Sequence, residues 1–196
     1  MLPASAAEEQ AVRYGRAILT MLALSATLPA AAADIDVGAL FDKAEAASQV
    51  GVARKTKLVD GRPAKPGEVV VTVIKGEGKE TQSKPAEAGD VVVRNRCPET
   101  GNEEYLVKAA RMTQRYEGPL GNADAQGWQP YRPKGVEMRY FVVSNALGSF
   151  SFKAPWGEDM VAKPGDAIVR NAADPKDTYR VQAQSFACTY EVVQAP

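Results

Sequence analysis

Short apolar runs, separated by Gly, Pro and polar clusters, dominate the chain from about residue 67 onward. Residues 91–93 are all valine and residues 167–169 read AIV, and each run follows a Gly-Asp pair. β-Branched runs bounded by turn-forming residues are typical of strands. Further strands are predicted within residues 68–75 and 138–145, each followed by a glycine-containing turn. The pattern therefore predicts a mostly β fold of the α+β class.

Three short segments are patterned as helices instead. Asp36 can cap a helix that runs to Ala47 and carries an apolar stripe. Residues 110–115 and 184–189 lack strand alternation, and each segment ends close to a Tyr-Glu pair. We expect these short helices to accompany β-hairpins.

One segment of the chain recurs in order. Residues 89–95 read GDVVVRN and residues 165–171 read GDAIVRN, 76 positions apart. Tyr105 and Tyr179 follow, 74 positions apart, so the difference of two residues lies in the intervening loop. Surface loops tolerate such changes because they carry little packing. We interpret the chain as a pseudo-twofold tandem duplication of a small hairpin-based unit.

The predicted domain organisation follows from these patterns. The Gly- and Pro-rich stretch between the two units favours an irregular connector. The predicted divisions are a signal peptide at residues 1–33, a short helix and lead-in at 34–66, the first unit at 67–118, the connector at 119–135 and the second unit at 136–196.

The N-terminal 33 residues have the order of a secretory leader. Arg13 and Arg16 precede the apolar run 17–28, and four alanines at 30–33 offer a small-residue cleavage site. The alternative is an uncleaved anchor helix, for which the apolar stretch is only just long enough. We predict cleavage after Ala33 and a periplasmic or secreted protein with no stable membrane span.

The composition argues against several classes of function. The 196 residues hold 24 Lys and Arg against 24 Asp and Glu, so the formal net charge is zero. Without excess positive charge, a nucleic acid is not an expected partner. The chain has no histidine, which removes the usual general base, the Ser-His-Asp and Cys-His nucleophile systems and the commonest zinc ligand. We predict no cofactor, no metal and no catalytic residue, and favour a binding or structural module over an enzyme.

The segment 164–167, which reads PGDA, is followed by Tyr179 and by a Phe-x3-Tyr-Glu close that contains Tyr190. This block resembles the bacterial PGDYG domain, and the first unit is similar with Ala88 in place of the proline. The resemblance implies two degenerate copies of a small bacterial domain. It supplies no substrate and no catalytic residue.

The chemistry-bearing candidates are the polar groups that recur at the strand ends. Each repeated segment ends in an Arg-Asn pair, with a tyrosine across the predicted hairpin. Arginine suits a carboxylate, and asparagine both donates and accepts hydrogen bonds. The alternative is that asparagine closes the turn while arginine pairs with an internal carboxylate.

Two tryptophans extend this set, because Trp128 and Trp156 lie in Gly- and Pro-containing stretches. Exposed rings there would stack on sugars or grip Pro-rich peptides, whereas buried rings would fill the gap between packed units. The candidate ligand-binding residues are Arg94, Asn95, Tyr105, Trp128, Trp156, Arg170, Asn171 and Tyr179.

The two cysteines, Cys97 and Cys188, do not occupy equivalent places in the two units. In an oxidising compartment they can form one intramolecular disulfide. The alternatives are a buried Cys188 and an exposed, reactive Cys97.

Together these patterns predict an exported binding or structural module of the bacterial cell envelope, with a peptide, a glycan or an envelope protein as its partner. Two alternatives stay open. One is an envelope hydrolase that uses carboxylates, with Glu103 or Glu104 as the acid, and the other is an accessory subunit of an envelope complex.

Overall fold

A computed structural model describes residues 34–196, so the predicted signal peptide and its cleavage site lie outside the described residues. The described part is mostly β with short helices, as the sequence pattern predicted. In chain order the elements are α1 (Val37–Ala46), β1 (Gly51–Lys55), β2 (Val59–Pro63), β3 (Val71–Ile74), β4 (Gly78–Gln82), β5 (Val91–Asn95), β6 (Glu104–Val107), α2 (Ala109–Arg115), β7 (Tyr116–Glu117), β8 (Gln129–Pro133), β9 (Glu137–Val142), β10 (Phe150–Lys153), β11 (Asp159–Ala162), β12 (Ala167–Asn171), β13 (Asp174–Val181), α3 (Ala183–Thr189) and β14 (Tyr190–Gln194).

Two five-stranded antiparallel sheets form the framework. Sheet I has the strand order β13-β12-β9-β1-β14, and sheet II has the order β6-β5-β2-β8-β7. The hairpins β3–β4 and β10–β11 complete the β structure of the described residues. The two orders correspond when β2, β5, β6 and β7 are matched with β9, β12, β13 and β14. The tandem duplication stays a prediction, and this correspondence supports it.

Strands β1 and β8 cross between the two halves of the chain. β1 lies between β9 and β14 in sheet I, and β8 lies between β2 and β7 in sheet II. Sequence patterning predicted a short helix and lead-in at 34–66 and an irregular connector at 119–135. β1 is instead an inner strand, and residues 129–133 of the connector form β8. The sequence pattern did not predict β8 because it contains Pro130 and Pro133. Proline lacks a backbone donor and usually indicates an edge strand or a loop.

The recurring Gly-Asp pair fixes the junction between each strand and the helix that follows its hairpin. Asp90 and Asp166 are both buried. The carboxylate of Asp90 accepts a hydrogen bond from the backbone N–H of Ala109 at 3.0 Å, and that of Asp166 accepts one from Ala183 at 3.1 Å. Since these N–H groups begin α2 and α3, the aspartates satisfy donors that the helices cannot satisfy themselves. The pair recurs for a structural reason.

Helix α1 agrees with its prediction. Asp36 caps it by accepting a hydrogen bond from the backbone N–H of Ala39 at 3.0 Å. The ring of Phe41 is fully buried and packs edge-on against Phe141, with 5.5 Å between ring centroids. The apolar stripe of α1 therefore covers one face of sheet I.

Candidate functional site

A cavity of about 520 Å³ is lined by residues from both five-stranded sheets, from α2 and α3 and from the β3–β4 and β10–β11 hairpins. Ligand pockets in proteins generally occupy about 300–1,000 Å³. The cavity is thus large enough for a small molecule or a fragment of a polymer.

Four tyrosine hydroxyls meet in the cavity as two pairs. The hydroxyls of Tyr105 and Tyr116 lie 3.1 Å apart, and those of Tyr179 and Tyr190 lie 3.4 Å apart. Members of the two pairs occupy corresponding places on β6 and β13 and on β7 and β14. Burial raises the pKa of Tyr116 to about 12, so its hydroxyl stays protonated and can both donate and accept.

Lys55 at the end of β1 brings an ammonium group into this cluster. Its Nζ donates to Oδ1 of Asn95 at 2.7 Å and to the Tyr105 hydroxyl at 2.8 Å. Desolvation lowers the pKa of Lys55 to about 8; the charge of Arg115 acts in the same direction and that of Glu103 opposes it. Within the described residues, no carboxylate lies at ion-pair distance from Lys55.

Glu103 is linked to Lys55 through Asn95, and both of its carboxylate oxygens are already engaged. One oxygen accepts from Nδ2 of Asn95 at 2.7 Å and also from the hydroxyl of Ser185, and the other accepts from the hydroxyl of Thr100. Burial would raise the pKa of Glu103, but these hydrogen bonds outweigh burial and hold the pKa below its usual value. An ionised, fully engaged carboxylate is a poor general acid, so Glu103 does not fit the acid of the hydrolase alternative.

Glu80 has the opposite character. It accepts a hydrogen bond from the buried Arg180 at 2.7 Å, and Arg180 also contacts Asp166 at 2.7 Å and Glu77 at 3.0 Å. Burial raises the pKa of Glu80 to about 7 in spite of the Arg180 charge, because neighbouring carboxylates act in the same direction as burial. Glu80 is therefore a cavity carboxyl that titrates near neutral pH.

The half of the cavity that Tyr179 lines has a different cation. Arg115, at the end of α2, donates to Asp177, which also accepts from Nδ2 of Asn171 at 3.3 Å. The Arg115 guanidinium lies 5.8 Å from the centroid of the Tyr179 ring. Unlike Lys55, this cation has a carboxylate partner.

No family model, curated protein or solved structure matches the chain. The resemblance to the PGDYG domain stays a prediction, and the cavity has to be interpreted from its own chemistry.

The cavity collects part of the predicted ligand-binding set. The predicted residues that line it are Asn95, Tyr105, Trp156, Asn171 and Tyr179. Trp156 is 42% exposed, and its ring centroid lies 5.9 Å from that of Tyr179. Trp156 therefore offers a solvent-accessible ring beside the tyrosine cluster.

Arg94, Trp128 and Arg170 do not line this cavity, and their predicted role in ligand binding stays a prediction. Arg94 pairs with Asp60 at 3.1 Å and lies 4.2 Å from the centroid of the Trp128 ring, which is only 9% exposed. Trp128 packs with a cluster of small and branched side chains and fills space there.

Arg170 also has internal partners. Its guanidinium pairs with Asp42 at 2.6 Å and lies 4.1 Å from the centroid of the Phe41 ring. Arginine stacks on aromatic faces and pairs with carboxylates, and here both capacities are used internally.

Several site residues were not singled out by sequence reasoning. Lys55 and Arg115 have no counterpart of the same type in the other half, so the repeat could not identify them. Glu80 belongs to a polar segment before the Lys84-Pro85 pair, and nothing in that segment marks it as a cavity residue. Arg115 adjoins the recurring Tyr116 and Glu80 lies in the β3–β4 hairpin, whereas Lys55 has no such signal in the sequence.

Cys97 and Cys188 come together although they lie far apart in sequence. Cys97 is buried in the β5–β6 loop, Cys188 is half-buried on α3, and both carry free thiols. The structure thus brings the predicted pair into proximity, and the bond between them stays a prediction. No helix among residues 34–196 is both long and apolar enough to cross a membrane.

Proposed function

We propose that this protein is an exported binding module of the cell envelope, and that its ligand carries a carboxylate or similar acidic group into the tyrosine-lined cavity. The observation that carries the proposal is the ammonium of Lys55, held by Asn95 and Tyr105 without a carboxylate at ion-pair distance. A desolvated charge is costly unless it is paired, so an anion bound there would offset that cost. The amine retains a third donor for such a group.

The remaining charges around the cavity favour the same sign of ligand. Six basic and four acidic side chains line it, and one of the acidic groups, Glu80, is partly protonated at neutral pH. The basic residues are Lys55, Lys84, Lys108, Arg111, Arg115 and Arg180, and the acidic ones are Glu80, Glu87, Glu103 and Asp177. Lys108, Arg111, Arg115 and Arg180 are paired with carboxylates, which leaves Lys55 and Lys84 as the lining cations without such a partner among the described residues. An unpaired cation attracts anions.

The rings and hydroxyls favour a polymer fragment with both apolar and polar faces. Trp156 and Tyr179 present aromatic surface, and the tyrosine pairs present hydroxyls that can donate and accept. Acidic sugars and the free C-termini of peptides combine these requirements, and both belong to the ligand classes expected of an envelope module. The exported location rests on the leader pattern of residues 1–33.

The proposal is tested by the fluorescence of Trp156 in a Trp128→Phe variant, which leaves one tryptophan as reporter. The probes are matched pairs: an oligosaccharide with a uronic acid and its neutral counterpart, and a dipeptide with a free C-terminus and its amide. We expect saturable changes with the acidic member of one pair only. Binding by neither acidic probe, or equal binding by the neutral partner, contradicts the proposal.

Lys55→Met should abolish that response, because it removes the ammonium and keeps a similar apolar stem. Lys57→Met is the matched control, since Lys57 is exposed and does not line the cavity. A Lys55→Met protein that remains folded by circular dichroism and binds as tightly as the control would place the ligand elsewhere.

A further inference from the structure

A cluster outside the cavity combines two thiols and a carboxylate. The donor atoms of Cys97, Glu99 and Cys188 all lie within 4.8 Å of one another. None of these residues lines the cavity.

Both thiols lie near the same carboxylate oxygen. Oε2 of Glu99 is 3.4 Å from the Cys97 sulfur and 3.7 Å from the Cys188 sulfur. Each thiol proton also has a backbone carbonyl as an alternative acceptor, that of Gln184 at 3.8 Å for Cys97 and that of Arg96 at 3.7 Å for Cys188. Zn²⁺ binds sulfur at about 2.3 Å and carboxylate oxygen at about 2.0–2.2 Å in tetrahedral geometry, which separates a sulfur and an oxygen ligand by roughly 3.5 Å. The observed separations bracket that value, so a metal can enter with small side-chain movements.

The local fold holds two of the donors in place before any ion binds. The backbone carbonyl of Cys97 accepts hydrogen bonds from the N–H of Thr100 at 3.1 Å and of Asn102 at 2.9 Å. These bonds close the loop that carries both Cys97 and Glu99. α3 supplies Cys188 from the other half of the chain.

We propose that Cys97, Glu99 and Cys188 form a site for a thiophilic divalent cation such as Zn²⁺. Binding would replace the two thiol protons by two metal–sulfur bonds and release those protons to solvent, with no change of oxidation state. Soft thiolate ligands select such metals over Mg²⁺ and Ca²⁺. Glu99 is exposed, which gives the ion a path from solvent and leaves room for water as a fourth ligand.

A metal site and a disulfide between Cys97 and Cys188 differ in one respect, because the disulfide does not involve Glu99. The carboxylate shared by both thiols is therefore the feature that distinguishes the two chemistries. Oxidation of the cysteines would destroy the metal site, so the experiment is performed on reduced protein.

The test titrates the full-length reduced protein with Cd²⁺ and follows the ultraviolet thiolate-to-cadmium charge-transfer band, with Zn²⁺ as competitor. We expect one Cd²⁺ per chain, displaced by Zn²⁺ and unaffected by Mg²⁺. Cys188→Ser should weaken binding by at least about a hundredfold and Glu99→Gln by at least about tenfold, since even outer partners of metal ligands contribute 10- to 100-fold.

Glu104→Gln is the matched control, because it removes a carboxylate from the same hairpin outside the cluster. Absence of the band in reduced, folded protein overturns the proposal, and so does a band that survives in Cys188→Ser. Equal effects of Glu99→Gln and Glu104→Gln would overturn the role of Glu99. Cys188 and Glu99 are chosen for substitution because Cys97 is fully buried, where a change also affects folding.

Discussion

The ammonium of Lys55 donates a hydrogen bond to the hydroxyl of Tyr105 at 2.8 Å, joining the end of β1 in sheet I to β6 in sheet II. In the strand pairing Lys55 lies opposite Tyr190, and the residue opposite the corresponding tyrosine, Tyr116, is Pro133. The cavity therefore has two similar tyrosine pairs but a single ammonium at this position. That asymmetry would let a ligand with one acidic group bind in one orientation.

The first prediction concerns the pH dependence of acidic-ligand binding. Affinity should be highest below about pH 7, fall as Glu80 becomes ionised near pH 7, and fall again as Lys55 loses its proton near pH 8. Both steps make the cavity less positive, so they act in the same direction. Glu80→Gln should remove the lower step and retain the upper one, as measured by titration of the fluorescent response from pH 5 to pH 9. If the pH dependence of affinity is the same in Glu80→Gln as in wild type, the ionisation of Glu80 does not affect ligand binding.

The second prediction concerns stability and follows from the raised pKa of Glu80. The folded protein holds a proton on Glu80 up to about pH 7, whereas the unfolded chain releases it near 4.5. Between these values the folded state binds more protons, so the contribution of Glu80 to the free energy of unfolding declines as pH rises. Denaturant titrations of wild type and Glu80→Gln should therefore converge at low pH and diverge toward pH 7. A difference that is independent of pH contradicts the assignment.

Local patterns predicted much of the fold, because β5, β6, α2, β12 and α3 are encoded by contiguous runs with clear ends. The strands that sequence reasoning placed wrongly or missed are those whose environment depends on distant partners. β1 contains Arg54 and Lys55, so its sequence does not predict an inner strand. It is an inner strand because β9 and β14 pair with it on either side. Its place in the sheet is a property of tertiary pairing.

The candidate site was predictable to the extent that it repeats. Tyr105 and Tyr179 were identified by their matching positions, and both line the cavity. Arg94 and Arg170 also occupy matching positions, yet they pair internally, because a residue type that recurs in the sequence can serve the fold at each position. Lys55 and Glu80 could not be found by repetition, since their importance comes from burial.

The third prediction tests the buried aspartate that recurs in the Gly-Asp pair. Asp166→Ala removes the acceptor of the Ala183 N–H and one partner of the buried Arg180. Breaking a buried ion pair by removal of one partner costs roughly 3–5 kcal/mol. Because Arg180 keeps Glu77 and Glu80 as partners, we expect a loss at the lower end of that range, about 3 kcal/mol. The free energy of unfolding from urea titration measures it.

The control for that experiment is Asp159→Ala, which removes an exposed partner of Lys153. Exposed pairs contribute about 0–1 kcal/mol, so this variant should unfold close to wild type. Comparable losses in Asp159→Ala and Asp166→Ala would mean that the recurring aspartate has no special structural role.

The last prediction separates the two tryptophans, which sequence reasoning treated alike. Trp128 is 9% exposed and packs under the guanidinium of Arg94, whereas Trp156 is 42% exposed beside Tyr179. Trp128→Ala should therefore lower the free energy of unfolding by about 3 kcal/mol or more, as for other buried aromatic residues. Trp156→Ala removes a ring that makes little packing contact, so the free energy of unfolding should change by less than about 1 kcal/mol.

The binding of the acidic probe is measured by calorimetric titration, which needs no tryptophan. It should be weaker in folded Trp156→Ala than in wild type. If Trp128→Ala weakens binding at full stability while Trp156→Ala does not, the ligand lies on the sheet II face that carries Trp128 rather than in the tyrosine cavity.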